Sequence, residues 1–301
     1  MKPWILVLFA SLSVLPCAGF ALPRADLPAE VKTLSVNGYD MAYVERGSGP
    51  VLLLVHGALS DYRTWSALMN ELSAENRVIA VSLRHYYPER WDGQGNDFSL
   101  DDHARDVVAF IEALDSGPVH LLGHSRGAGV ALLAAVMQPA RVRSLVLADM
   151  YPFESILPKD ARAKAEMARR SAMAWDVLAQ YEQQDTEGAL TTFVNHVAGP
   201  TAWDNTGEAQ RERLRSNAWT QLSLIADTRT RMTCDDIARV GAPTLIVTGD
   251  RSAPLYGYAN DAVQACLQDV SRSTIAEAGH LMFQANPTAF IFEVQFFVAD
   301  H

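Results

Sequence analysis

Apolar and polar positions along the chain follow two rhythms that take turns. Val31 to Val36 and Met41 to Val44 read as short strands on either side of Asn37-Gly38, a dipeptide suited to a tight hairpin because both residues tolerate positive φ. Gly47-Ser48-Gly49-Pro50 breaks the chain, and Val51 to Val55 is then continuously apolar, as expected of a strand covered on both faces. Arg77 to Ser82, Val119 to Leu122, Leu145 to Ala148, Thr244 to Val247 and Ser273 to Ala276 read as further strands. Helical stretches fall between them: Tyr62 to Ser73, a helix opened by Ser99, Ala128 to Met137, Tyr258 to Leu267 and Pro287 to Val298. In the Ser99 helix, Leu100, Ala104, Val107, Val108, Ile111 and Leu114 share one face, and Ser99 with Asp102 makes a capping-box-like start. Strands alternating with helices predict an α/β fold, a mostly parallel sheet with helices on both faces.

The rhythm breaks after Asp149. From Leu157 to about Ile237 no convincing strand is visible, Ala161 to Tyr181 and Glu208 to Ile225 are helical in composition, and Gly199-Pro200 punctuates between them. Trp175, Tyr181, Phe193, Trp203 and Trp219 recur there; most are expected to pack that segment's own core, with one or two facing a site below. The predicted organisation is a core from 22–149, an inserted helical cap over 150–236, and the rest of the core over 237–301. The first 21 residues stand apart. Lys2, an apolar run from Trp4 to Leu15, and Gly19-Phe20-Ala21 read as a secretory signal peptide cleaved near Ala21. The run is too short for a stable membrane anchor, and Pro16 before Cys17 argues against a lipoprotein site. The expected location is periplasmic or secreted.

Composition sharpens this picture at two points. With 49% apolar residues in 301, a sizeable core is available, and with a net charge of -10 and no basic cluster, nucleic-acid or anionic-membrane binding is a poor fit. After removal of Cys17 two cysteines remain, Cys234 and Cys266. In an oxidising compartment they can bridge, or they are two buried thiols. No Cys/His spacing resembles a metal site, so no metal is expected.

The candidate chemistry sits at strand ends, where open α/β sheets bind ligands. Gly123-His124-Ser125-Arg126-Gly127 reads G-x-S-x-G between an apolar strand and an alanine-rich helix, the setting of a nucleophile elbow. The glycines leave room for a tight turn that pushes the Ser125 hydroxyl out of the sheet. A serine needs a base, a carboxylate that orients the base, and donors for an oxyanion. His280, in Gly279-His280, is the candidate base. The N–H groups of Arg126 and Ala58, the latter in His56-Gly57-Ala58, are the candidate oxyanion donors. Asp149 and Asp250 are the carboxylates at strand ends. Each has a plainer alternative: Asp149 as a helix cap, Asp250 as a brace of its own loop. His124, His120 and His103 read as structural or exposed, the His124 side chain pointing away from the reacting corner. Arg84 and His85 are possible pocket residues.

These features together resemble the α/β-hydrolase superfamily over residues 31–301. The resemblance implies an eight-stranded α/β-hydrolase fold, a cap after the sixth strand, a Ser–His–acid triad and hydrolysis without a cofactor. Many relatives carry the triad acid after the seventh strand, where this chain has Gly249-Asp250-Arg251-Ser252, so the matching position is Ser252. A smaller set takes its acid from the end of the sixth strand, about two dozen residues after the nucleophile, and Asp149 stands there. Asp149 is therefore favoured over Asp250, with Ser252 as an auxiliary hydrogen-bonder near His280. The expected activity is acyl-enzyme hydrolysis of a small ester, lactone or thioester. Amidase, carbon–carbon hydrolase or perhydrolase chemistry, and non-catalytic ligand binding on the same scaffold, are the alternatives. Epoxide hydrolases and haloalkane dehalogenases are similar in fold but use an aspartate where this chain has Ser125.

Overall fold

The computed structural model describes residues 27–301 except 90, 92, 94, 228 and 229; the expected signal peptide and Cys17 lie outside the described residues. Eight strands form one sheet: β1 (Lys32–Val36), β2 (Tyr39–Arg46), β3 (Val51–Val55), β4 (Arg77–Val81), β5 (Val119–His124), β6 (Val142–Ala148), β7 (Thr244–Gly249) and β8 (Val270–Ile275). Their spatial order is β1-β2-β4-β3-β5-β6-β7-β8. β1 and β2 pair antiparallel, as do β2 and β4, and the other neighbours are parallel. Asn37 and Gly38 both adopt positive φ in the first hairpin (50° and 75°), which the Asn-Gly pair permits.

The continuously apolar strands explain the two cores. In β3, Val51, Leu53 and Val55 face one side of the sheet and join the cluster built with helices α2 (Leu100–Leu114) and α3 (Arg126–Met137). Leu52 and Leu54 face the other side and pack in the cluster that holds Trp65, Phe290 and Val294. Side chains alternate across a strand, so a strand buried on both faces must be apolar at every position. Ser99 caps α2 as its spacing predicts: the Asp102 N–H donates to Ser99 Oγ at 3.0 Å.

Several local expectations shift. Tyr62 to Ser73 is not one helix but a 3₁₀ turn (Tyr62–Trp65) followed by the single-turn α1 (Met69–Leu72). β8 begins at Val270 rather than Ser273 and is half-exposed along most of its length. It is an edge strand, so the buried-strand pattern is weak there. Between β6 and β7 no strand occurs among the described residues. That segment holds α4 (Ala161–Glu182), α5 (Thr186–Ala198), α6 (Glu208–Arg215), α7 (Thr220–Ala226) and the one-turn α8 (Cys234–Ile237). α5 falls in a stretch where no element is expected, although Ala189, Leu190, Phe193, Val194 and Val197 recur at helical spacing, and the expected Glu208–Ile225 helix is divided by a turn at 216–219. Trp203 packs with Leu190 and Val194 in a small cluster of this segment, while Trp175 is 71% exposed. After β7 come α9 (Pro254–Gln264), α10 (Met282–Ala285) and α11 (Pro287–Ala299). α9 starts four residues earlier than its apolar pattern suggests, because Pro254 occupies the first turn, where a missing N–H costs nothing.

Cys234 of α8 and Cys266 just beyond α9 form a disulfide with Cα atoms 5.0 Å apart, which closes a loop of 32 residues' separation. By loop-closure entropy such a bridge contributes roughly 3 to 4 kcal/mol. Replacing Cys266 by Ser is expected to lower the urea midpoint accordingly. An unchanged midpoint would show that the bridge is not constraining the unfolded chain.

Candidate active site

The chain changes direction across the sheet between β4 and β5. The carboxyl ends of adjacent β3 and β5 therefore open onto a crevice. Residues 56–58 leave β3 there, and Ser125 leaves β5. Ser125 adopts φ 53° and ψ -118°, a region rarely occupied by a residue with a Cβ. Such a conformation costs on the order of 1–3 kcal/mol and persists only where the surroundings enforce it. Here the Ser125 N–H donates to Ala148 O of β6 at 2.9 Å, and the Ser125 carbonyl accepts from the Ala128 and Gly129 N–H groups at 3.0 and 3.2 Å. The two motif glycines are sterically required. A Cβ on Gly123 would lie 2.2 Å from Gly127 O, and one on Gly127 would lie 2.4 Å from the carbonyl oxygens of both Val55 and His56.

The Ser125 N–H bond to Ala148 O ties the elbow to the end of β6, and the next residue is Asp149. Asp149 is fully buried. Its Oδ2 accepts from His280 Nδ1 at 3.0 Å and from Ser252 Oγ at 2.6 Å, and its Oδ1 accepts from Thr248 Oγ1 at 2.7 Å. Asp250 is elsewhere. It is exposed, and its carboxylate accepts from the Glu277 and Ala278 N–H groups at 3.0 Å each. Those bonds, and the charge of Arg251, hold its carboxyl below the usual range. Asp250 thus braces the loop that carries His280 and does not touch the imidazole. Ser252 bonds to the carboxylate rather than to His280 itself.

Ser125 and His280 line one small cavity of about 70 Å³ with Gly57, Ala58 and Phe193. Ser125 also opens, with Ala58 and Arg126, onto a larger cavity of about 470 Å³ beneath α4, α5 and α7. Ala58 and Arg126, the expected oxyanion donors, thus line the same cavity as the serine. The Arg126 side chain turns away from that task. Its Nη2 donates to Asp227 Oδ2 at 2.9 Å and contacts His103 Nδ1 at 3.4 Å, both partners being buried. Arg84 and His85 do not line either cavity. Arg84 pairs with Asp106 at 2.8 Å, and His85 sits between Glu89 and Asp97 at 3.0 and 2.9 Å.

Two residues were not anticipated. His124 does not point away from the corner: its Nε2–H donates to the His280 carbonyl at 2.9 Å and its ring lies 4.5 Å from the His280 ring. The strand register of β5 places it there, one residue before the turn, which a motif reading alone does not resolve. Tyr256 stacks on the His280 ring, centroids 3.9 Å apart and planes within 10°. Its buried phenol lies within hydrogen-bonding influence of Ser125 and is held protonated by burial and by the Asp149 charge. Pro254, read as the helix start, would have brought Tyr256 into the first turn of α9 and so to the end of β7.

With this geometry in place the comparisons are decisive for the family. A model of the alpha/beta hydrolase family matches residues 52–294. The chain belongs to the alpha/beta hydrolase family. A 2-(acetamidomethylene)succinate hydrolase from Mesorhizobium japonicum is 35% identical over 124 residues, 40% of this chain and 44% of that protein. The match thus spans under half of that relative's length. Among solved structures, a hydrolase from Pseudomonas aeruginosa superposes with a TM-score of 0.73 at 21% identity, covering 90% of this chain and 98% of the other. The carboxylesterase CesB of Bacillus subtilis superposes at 0.70 and 16% identity, covering 92% and 93%. These likenesses are in the fold.

Buried neutral histidines give this alpha/beta hydrolase a defined acid response. His56 Nδ1–H donates to Gly57 O at 2.8 Å while Nε2 accepts from the Leu83 N–H at 3.0 Å. Protonation would destroy the second bond, and burial holds the pKa down at about 4. His120, beside Ser144 Oγ at 2.8 Å, is likewise lowered to about 4, chiefly by burial. For groups with depressed imidazole pKa, the unfolded chain takes up protons first. The stability they contribute is complete above about 6.5 and is lost as pH falls toward 4. For His56 that amounts to roughly 3 kcal/mol. His85 runs the other way: burial opposes its charge, but its two carboxylates outweigh that and raise its pKa. Its contribution is present below about 6.5 and is lost as pH rises through its folded value. Urea titrations are expected to give maximal stability near pH 6.5, with the steeper decline on the acid side. A stability flat from pH 6.5 to 4.5 would contradict the neutral buried state of His56.

Proposed function

We propose that the chain is a serine hydrolase that cleaves a carboxylic ester, lactone or thioester through an acyl-enzyme. The observation that carries this reading is the buried His280–Asp149 hydrogen bond at 3.0 Å, set on the cavity that holds Ser125 at its positive-φ turn. In the proposed reaction Ser125 Oγ attacks the acyl carbon as His280 Nε2 takes its proton. Asp149 holds Nδ1–H and stabilises the imidazolium. The N–H groups of Ala58 and Arg126 receive the oxyanion. His280 returns the proton to the leaving group, water enters, and the same steps in reverse role release the acid. Tyr256 and His124 act as positioning residues, one stacked on the imidazole and the other bonded to the His280 carbonyl. The solved structures of esterases with this fold support the ester reading. A relative named as a 2-hydroxymuconate semialdehyde hydrolase keeps carbon–carbon hydrolysis as the second reading.

Ser125→Ala is expected to abolish p-nitrophenyl butyrate turnover and labelling by a fluorophosphonate probe; retained turnover would exclude the serine mechanism. A wild-type protein that takes no label would favour a non-catalytic binder. Asp149→Asn is expected to lower kcat by about 10⁴-fold, whereas Asp250→Asn lowers it far less. The reverse order would move the acid to the end of β7.

We further assign the protein to the periplasm or the exterior. Support comes from the amino-terminal pattern and from the Cys234–Cys266 bridge, since disulfides persist in oxidising compartments. Amino-terminal sequencing of protein from the periplasmic fraction is expected to begin near Leu22. Recovery only from the cytosol with Met1 intact would refute this.

A further inference from the structure

The larger cavity is walled mainly by apolar side chains, among them Met167, Leu178, Phe193, Leu224 and Leu255. Two guanidinium groups also line it, and they differ in one respect. Arg126 is neutralised by buried Asp227 at 2.9 Å. Arg170, on α4, has no carboxylate within ion-pair distance among the described residues. Its neighbour Arg169 takes Glu166, and Glu154 at the cavity rim is exposed and unpaired with Arg170. The contacts given to Arg170 are with Tyr151: Nη2 lies 3.4 Å from the phenol oxygen, and the guanidinium lies 5.5 Å from the ring centroid. Both favour a cation without cancelling its charge. His196 lines the same cavity, its imidazole pKa lowered by burial and by the charge of Arg170. The charge of Arg170 is also felt at Tyr256, the ring stacked on His280.

A guanidinium carries five donors in a planar fork suited to a carboxylate. An apolar wall strengthens that pairing by lowering the local dielectric. We propose that Arg170 is a specificity-determining residue and that the substrate is an ester bearing a carboxylate, seated between Arg170 and Tyr151 while its ester group lies at Ser125. The proposal rests on the serine-hydrolase reading above. A singly charged group is specified because the chain as a whole carries -10. A long-range repulsion of that size weighs more heavily on a doubly charged phosphate monoester.

The test uses matched pairs in which the carboxylate is replaced by its neutral isostere. 4-Acetoxybenzoate against 4-acetoxybenzamide places the charge on the leaving group. Monomethyl adipate against methyl adipamate places it on the acyl group. In at least one pair the anion is expected to have a kcat/KM about tenfold or more higher, the scale of one charge-assisted hydrogen bond. The gain should lie mainly in KM and decline with added salt. Arg170→Gln is expected to collapse the anion-to-amide ratio to within about twofold, and Arg170→Lys to retain part of it. The ratio is taken within each protein, so a general loss of activity cancels. No preference in either pair, or a preference that survives in Arg170→Gln, overturns the proposal. If none of the four esters is turned over while Ser125 still takes the fluorophosphonate, protection against labelling is measured with the same four compounds and read by the same ratio. Absence of labelling and of all ester turnover is instead the failure of the serine-hydrolase reading.

Discussion

A carboxylate removed from water must find its donors within the protein, and the placement of Asp149 makes that requirement organise the whole region. The side chain is fully buried and accepts three hydrogen bonds, from β7 (Thr248), from the loop after β7 (Ser252) and from the loop after β8 (His280). A buried ion left short of partners would be destabilising by several kcal/mol. The three donors therefore fix how the ends of β6, β7 and β8 meet. The backbone of the same corner is shared with the nucleophile, because Ser125 N–H bonds to Ala148 O. Serine, histidine and carboxylate are thus set by one strand junction rather than by three independent loops.

That junction also explains why Asp250, although ionised and close in sequence to the same strand end, has a different task. Its carboxylate is spent on two backbone N–H groups at 277 and 278, two residues before the imidazole. It shapes the approach of the loop. Asp149 fixes the tautomer: Nδ1 must carry the proton to donate to Oδ2, which leaves Nε2 as the acceptor on the cavity side. The His124 N–H to the His280 carbonyl and the Tyr256 ring complete the support by fixing backbone and ring plane.

Much of this was legible because the relevant constraints are local. β3 is buried on both faces and so is written as an unbroken apolar run, and the centres of β5 and β7 are apolar for the same reason. Gly123 and Gly127 mark a turn that tolerates no Cβ, and Ser99 marks a helix start through a single hydrogen bond. Elements that depend on distant partners were harder. β8 lies at the sheet edge and loses its apolar signature there. α9 hides its first turn behind Pro254, and with it Tyr256. His124 was misjudged because the motif specifies the neighbours of the serine by size, whereas the direction of their side chains follows from the register of β5. The Cys234–Cys266 pairing depends on where α8 and α9 pack, and sequence separation carries no record of that.

The segment between β6 and β7 is tied to the core by charge as well as by apolar contact. Asp227, at the end of α7, accepts from the side chain of Arg126 and from the Leu100 N–H at the start of α2. Asn217, between α6 and α7, donates to buried Asp61 and accepts from the Tyr87 N–H. Each bond fixes a polar group that apolar packing alone would leave free to slide. The result couples the roof of the larger cavity to the residue that follows the nucleophile. Arg126 directly follows the nucleophile and its guanidinium holds the roof, so a shift of α7 that strains the Asp227 pair bears on the residue proposed to supply one of the two oxyanion donors. A buried ion pair is a poor source of net stability but an exacting source of geometry, and geometry at that donor is what the proposed chemistry requires.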